Sequence, residues 1–251
     1  MRHPTAPVRD SHDILTDRPP RPADERIAYG PGPVHFGDLR LPAGDGPHPL
    51  AVVLHGGAWM ANYNLIHTGH MCAALTEAGI ATWNVEYRGY GDVGGGWPGT
   101  LEDVRLALAH VPSLPRIDPA RVVLVGHSAG GHLALLAARH APVSAVVPVA
   151  PVAEPEAWDS DTVDLFFGET VPVEGSPRRS LPLGVPQVVV HGTDDESVPF
   201  AMSTAYVDAA CAAGDEARLL ALEGAGHFEP IDPQSAEWPR VLETCVDLAS
   251  G

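Results

Sequence analysis

Three residues, far apart in the chain, are suited to one piece of chemistry. Ser128 sits in Gly126-His127-Ser128-Ala129-Gly130-Gly131, directly after the apolar run 122–125 and directly before a Leu/Ala-rich stretch. Gly-x-Ser-x-Gly between a strand and a helix is a turn too tight for side chains beside the serine, and glycine at both flanks gives the room. Such a turn lifts the hydroxyl clear of a sheet, at a helix N-terminus whose partial charge favours a developing anion. A serine hydroxyl needs a base to become a nucleophile, and the base needs an orienting partner. Asp194 and Asp195 stand in "VVVHGTDDESVPF", after one β-rich run, and His227 stands in "EGAGHFEP", after the next. The order serine, acid, histidine suits three loops at the C-terminal ends of successive parallel strands. The chemistry of such a set is attack on a carbonyl carbon, with the proton passing through imidazole.

Each of these residues also has an ordinary reading. Strand-to-helix turns favour Gly and Ser in general, and 13 histidines make a chance match easy. His3, His12, His35 and His48 fall in the N-terminal stretch or early loops; His132 and His140 fall on the helix after Ser128; His191 ends a strand. His67 and His70 form H-x-x-H on a helix with no helical carboxylate beside them, a poor zinc set. Only His227 stands where a base is expected. A third element strengthens the set. In "LHGGAW", residues 54–59, two glycines let backbone amides turn toward an oxyanion. The expected donors are the N–H groups of Gly57, Ala58 and Ala129, with His55 bracing the loop through hydrogen bonds. Trp59 is either packed or set against the acyl group.

These residues need a scaffold that brings three loops together. Short β-rich runs alternate with helical stretches along the chain: strands at 49–57, "IATWNVEYRG", 121–126, 144–150, 186–192 and 217–223; helices at 65–78, from Thr100 to about 111, from Ser128, at 200–213 and at 234–249. "VHFGDLRLP" adds an early strand, and Thr100 with Asp103 resembles a capping box. The alternation predicts an α/β fold with a mostly parallel sheet covered by helices on both faces. Residues 1–24, rich in Pro, Arg and Asp, are expected to be a flexible N-terminal arm, and 25–251 one catalytic domain. The irregular stretch 151–185 is expected to form a short lid, with Trp158, Leu165, Phe166 and Phe167 as its apolar content.

Composition removes several classes of function. With 15 basic against 32 acidic residues the formal net charge is −17, unsuited to a nucleic-acid groove or anionic lipid. Every basic residue is Arg, which excludes lysine nucleophiles and a lysine-linked pyridoxal cofactor. Cys72, Cys211 and Cys245 are too few and too scattered for a disulfide framework and are expected to be reduced thiols, mostly buried. The N-terminal stretch lacks the apolar segment of a secretory signal, and no run nears the ~18 apolar residues of a membrane span, so a cytoplasmic location is expected. The set implies a small-molecule substrate, no cofactor, no metal, no nucleic acid and no membrane partner; a homodimer is left open.

On these motifs the chain resembles the α/β-hydrolase superfamily. "HGGAW" and the lead-in "YGPGPVHFGDLRLP" resemble the kynurenine formamidase (arylformamidase) and carboxylesterase branch. "EYRGYGDVG" and "HGTDDESVPF" are similar to the catalytic domain of prolyl oligopeptidase-like enzymes. The resemblance spans residues ~27 to 249 and implies a cofactor-free serine hydrolase. It also separates the two aspartates: in H-G-T-x-D segments the acid is the fourth residue after the His, which from His191 gives Asp195. It departs from the peptidases in lacking their β-propeller, and from H-G-G-G esterases in carrying Ala58. It implies hydrolysis of small esters or N-formyl aryl amides; a lid passing over the C-terminal edge of the sheet, with Trp59 opposite, is expected to set Trp59, Phe166 and Phe167 against the substrate. Two rivals are a short-peptide exopeptidase and a non-catalytic binding protein on the same scaffold.

Overall fold

The computed structural model describes Leu15, residues 17–139 and residues 141–251. Eight strands form one sheet in the order β1-β2-β4-β3-β5-β6-β7-β8. They are β1 (Glu25–Ala28), β2 (Phe36–Arg40), β3 (His48–Leu54), β4 (Ala81–Val85), β5 (Ile117–His127), β6 (Ala145–Val149), β7 (Gln187–Gly192) and β8 (Ala217–Leu222). β1–β2 and β2–β4 pair antiparallel, and every other neighbouring pair is parallel. β1 is a short strand that its polar sequence, Glu-Arg-Ile-Ala, does not advertise. The central strands alternate side chains between the two faces of the sheet. Leu50, Val52 and Leu54 of β3 enter one core, and Ala51 and Val53 enter the other.

Among the residues described without a break, six α-helices accompany the sheet: α1 (Gly69–Glu77), α2 (Gly99–His110), α3 (Ala129–Ala138), α4 (Asp161–Phe167), α5 (Phe200–Ala212) and α6 (Trp238–Ser250). α2, α3 and α5 share the core of Leu101, Leu133 and Tyr206, while α1 and α6 share that of Met71, Leu75 and Val241. The chain reverses direction across the sheet between β3 and β5, which lie side by side. A crevice opens at such a switch point, outside the carboxyl ends of the strands. Residues 55–60 and the turn at Ser128 leave the sheet there.

Three local expectations change. The segment 65–78 splits into a 3-10 turn, Leu65–Thr68, and α1, which Gly79 closes at φ 96°. Thr100 and Asp103 form no capping box. Helix α2 begins one residue earlier, and its Thr100 Oγ1 donates to Arg88 O (2.7 Å). Asp103, inside α2, receives the Arg88 side chain at Nε (2.8 Å) and Nη2 (2.6 Å). Asp103 is the buried partner, so its carboxylate takes the Arg88 guanidinium rather than a cap amide. Of the expected arm, residues 1–14 and 16 lie outside the described residues, as does His140. Leu15 is fully buried among the α1 and α6 side chains, which anchors the arm at that point.

Candidate active site

Ser128 follows β5 at φ 54°, ψ −118°, a conformation that costs a residue with a Cβ about 1–3 kcal/mol. The surrounding chain over-determines it. Ser128 N–H donates to Val149 O (2.8 Å) and Ser128 O accepts from His132 N (3.1 Å). A Cβ on Gly126 would run into the Gly130 carbonyl, and one on Gly130 into the carbonyls of Leu54 and His55. Both flanking glycines are therefore dictated by backbone contact, and the serine is left at the surface of a cavity.

Asp195 lies two residues past Thr193, in the loop after β7, and its side chain is fully buried. Its Oδ2 accepts from His227 Nδ1 (2.7 Å) and from His191 Nε2 (3.1 Å). Its Oδ1 accepts from the amides of Ser197 (2.8 Å) and Val198 (2.9 Å). Burial pushes the carboxyl upward, but hydrogen bonds from His191 and His227, the His227 charge and the Val198 amide outweigh it and hold the group well below the carboxylate range. Asp194 faces solvent and makes a side-chain contact only to its neighbour Thr193 among the described residues. The geometry thus brings Asp195, and not Asp194, to His227.

His127, between Gly126 and Ser128, donates Nε2–H to the carbonyl of His227 (2.9 Å), and the two rings lie 4.6 Å apart. Burial, together with the nearness of His227 and His67, holds His127 far below the usual imidazole value, so it stays neutral. His67 Nε2 accepts the Gly56 N–H (3.0 Å), and His70 Nε2 donates to Arg18 O (2.9 Å). The two histidines of the H-x-x-H pattern are engaged in different directions. Among the described residues, no group of three or more His, Cys, Asp or Glu side chains is arranged to hold a metal ion.

The loop after β3 is wound left-handed for three residues: Gly57 (φ 110°), Ala58 (φ 50°) and Trp59 (φ 59°). A Cβ on Gly57 would strike the Tyr63 ring. Among the described residues no acceptor takes the N–H of Gly57 or Ala58. Ala129 opens α3, where first-turn amides have no partner within the helix. All three amides border the turn at Ser128.

A cavity of about 210 Å³ lies over Ser128, lined by Gly57, Ala58, Tyr63, His67, His127, Trp158, Ser197, His227 and Phe228. Trp59, Phe166 and Phe167, expected at the substrate, do not line it. Trp59 is buried, stacks on Phe166 (centroids 4.7 Å) and donates Nε1–H to His132 Nδ1 (3.2 Å). Phe167 packs on Trp59 (5.9 Å) and Trp97 (5.3 Å). The reason is the left-handed winding at residues 57–59, which turns the Trp59 side chain into the core beneath α4. From the segment 151–185 it is Trp158 that reaches the cavity, fixed by its Nε1–H to Ser197 O (3.0 Å). Sequence reasoning placed Trp158 in the lid without singling it out for the substrate, gave His67 and His191 ordinary roles, and missed Glu86. His191 and Glu86 carry one usable signal, a polar residue where an apolar strand ends at the crevice.

The fold is that of the α/β-hydrolases. The chain belongs to the serine hydrolase family, whose description matches residues 110–246; residues 38–147 also match the family described as BD-FAE. A truncated carbohydrate esterase from gut microbiota superposes with a TM-score of 0.80 at 20% identity, over 92% of this chain and 99% of that one. Esterase 2 of Thermogutta terrifontis with propionate bound gives 0.77 at 22% identity, over 91% and 94%. The isoprenylcysteine alpha-carbonyl methylesterase of Arabidopsis thaliana is 24% identical over 249 residues, covering 81% of this chain and 56% of that protein. The chain spans between 55% and 62% of the length of its plant relatives. Among the described residues, no helix is long and apolar enough to cross a membrane.

Proposed function

We propose that this serine hydrolase is an esterase for small carboxylic esters, with Ser128 as nucleophile, His227 as general base and acid, and Asp195 as the group that orients His227. The observation carrying the reading is the 2.7 Å bond from His227 Nδ1 to Asp195, made while His227 and Ser128 border one cavity. Nδ1 is committed to the carboxylate, so the other imidazole nitrogen is the one free to exchange a proton with substrate and serine. Ser128 Oγ attacks the ester carbonyl, and its proton passes to His227. The amides of Gly57, Ala58 and Ala129 receive the oxyanion, each worth roughly 3 kcal/mol in the transition state. His227 then protonates the departing alkoxide, and water hydrolyses the acyl-enzyme by the reverse proton path.

Two features support a small uncharged ester. The cavity, at about 210 Å³, is below the range of about 300–1,000 Å³ of drug-sized ligand sites. Its walls are aromatic, amide and imidazole, with no carboxylate or guanidinium to hold the terminus of a peptide. The bound propionate and butyrate of the Thermogutta esterase are acyl groups of fitting size. N-formyl aryl amides pose the same geometry with the smallest acyl group and belong in the same panel. The test is fluorophosphonate labelling of Ser128, followed by nitrophenyl esters from C2 to C12, N-formyl anilides and aminoacyl anilides. We expect labelling that Ser128→Ala abolishes, and kcat/KM falling from C4 to C12. Preference for C12, or cleavage of aminoacyl anilides without turnover of short esters, would refute the reading.

A further inference from the structure

The amide of Gly57 belongs to the same peptide group as the carbonyl of Gly56. In a trans peptide the N–H and the C=O point in opposite directions, so whatever fixes Gly56 O also aims Gly57 N–H. Gly56 O is fixed. His55 Nδ1 lies 2.8 Å from it, and since a carbonyl can only accept, Nδ1 carries a proton and donates it. The other side of the His55 ring faces Glu86, with Nε2 and Oε1 2.9 Å apart and one proton between them. Glu86 Oε1 also accepts Tyr87 N–H (3.2 Å), and Oε2 accepts Leu65 N–H (3.1 Å). Tyr87 stacks on His55 with centroids 4.2 Å apart and 3° between planes, and donates its hydroxyl to His55 O.

The placement follows from the sheet. β3 and β4 are parallel neighbours with Leu54 opposite Val85, so His55 and Glu86 are the next residues out from the same rung. Both are buried. A buried carboxylate is costly unless it is paired and hydrogen-bonded, and this one spends its bonds on the base of a loop rather than on the core. The run therefore reads Glu86 carboxyl, His55 ring with the shared proton between them, Gly56 carbonyl, Gly57 amide, oxyanion. Each bond polarises the next, which makes Gly57 N–H a better donor as well as a fixed one.

We propose that Glu86 is a positioning residue for catalysis: acting through His55, it sets the plane of the peptide joining Gly56 and Gly57 and so aims an oxyanion donor at the substrate carbonyl. The inference rests on the esterase reading given above. It predicts a particular kinetic signature. The donor matters only once the carbonyl oxygen carries charge, and it serves acylation and deacylation alike. Both steps should slow by one factor, so kcat falls while KM, which depends on their ratio, holds.

The experiment compares the unaltered chain with Glu86→Gln, Glu86→Ala, His55→Ala and the double variant His55→Ala/Glu86→Gln. Readouts are kcat and KM for p-nitrophenyl acetate, the rate of Ser128 labelling by a fluorophosphonate, and Tm. Glu86→Gln keeps the shape but cannot hold the shared proton and also satisfy Tyr87 and Leu65. It should lower kcat about 10-fold, and His55→Ala about 10²-fold, the scale of one lost donor. KM should stay within about 2-fold, and labelling, which seats a phosphonyl oxygen in the same donors, should slow by the same factor as kcat. In the His55→Ala background, Glu86→Gln should add no further loss. If Glu86→Ala fails to fold, the isosteric Glu86→Gln still decides the matter. Unchanged kcat and labelling in folded Glu86→Gln, a loss confined to KM, or losses that multiply with those of His55→Ala would overturn the proposal. If the unaltered chain is labelled but cleaves no ester, the substrate reading fails while the labelling ratios still test Glu86. If it is not labelled at all, both fail.

Discussion

Asp195 divides one oxygen between two imidazoles and the other between two amides, and this decides how the residues around it should respond to change. Asp195→Asn can keep the shape but presents an amide hydrogen toward His227 Nδ1. The imidazole then holds its proton on the nitrogen that should accept from the serine, and turnover should fall about 10⁴-fold in steady-state assays with the fold intact. Asp194→Asn, on the exposed turn beside it, should change turnover by no more than about 2-fold. A reversed pattern would reassign the acid. Ser128→Ala and His227→Ala should each cost about 10⁴- to 10⁶-fold, and the double variant should be no worse than either, because the two act as one unit. Multiplying losses would contradict that. His191, which the chain's pattern marks merely as the end of a strand, is the second donor to Asp195. Its role was not legible, because a hydrogen bond four residues along a loop depends on loop shape, and loop shape has no periodicity to read.

At the scale of elements, the strand–turn–helix around Ser128 and the alternation of strands and helices were legible, since both follow from backbone geometry that particular residue types dictate. The wall of the cavity was not. Trp59 and Trp158 have the same chemistry, and which of them meets substrate is set by the winding of residues 57–59 and the path of 151–185. The structure makes Trp59 a clamp: its main chain pairs with Tyr90 (N···O 2.6 Å) and its ring sits between Phe166 and His132, holding the left-handed residues beside it. Trp59→Ala should therefore cost stability, about 3–5 kcal/mol by urea unfolding, the scale of a buried large aromatic. Phe166→Ala should behave alike, and neither should change the relative rates for acetyl and butyryl esters. Trp158→Ala should do the opposite, shifting the preference toward longer acyl chains with little loss of stability. Shifted chain-length preference in Phe166→Ala with none in Trp158→Ala would return the wall to the residues first expected there.

Across the whole molecule, two electrostatic effects of opposite sign govern how stability should vary with pH. The net charge of −17 is self-repelling, and lowering the pH toward the pI near 5.0 relieves it. Two buried histidines, His132 and His127, act the other way. His132, fully enclosed in α3, accepts from Trp59 and donates to Gly175 O (2.9 Å), an arrangement that needs the neutral ring. Burial lowers its pKa to about 4. In the unfolded chain the same group protonates near its ordinary value of about 6.5. Between those limits the unfolded state binds more protons than the folded state, so stability is lost as pH falls from about 6.5 toward about 4 and is fully present above that window. A difference of this size corresponds to roughly 3 kcal/mol at the acid end. His127, likewise lowered by burial and neutral, adds a loss of the same sign. Charge relief hides part of both, and so the comparison must be made within the protein. Urea midpoints for the unaltered chain and for His132→Gln, taken at pH 7.5, 5.5 and 4.5, share the same surface charge and differ in one buried titration. His132→Gln should be the less stable of the two at pH 7.5, having lost shape and a bond, yet should lose less on acidification, so that the gap narrows toward pH 4.5. Parallel curves would mean that His132 does not titrate with folding in this window, and would remove the core histidine as a cause of acid lability.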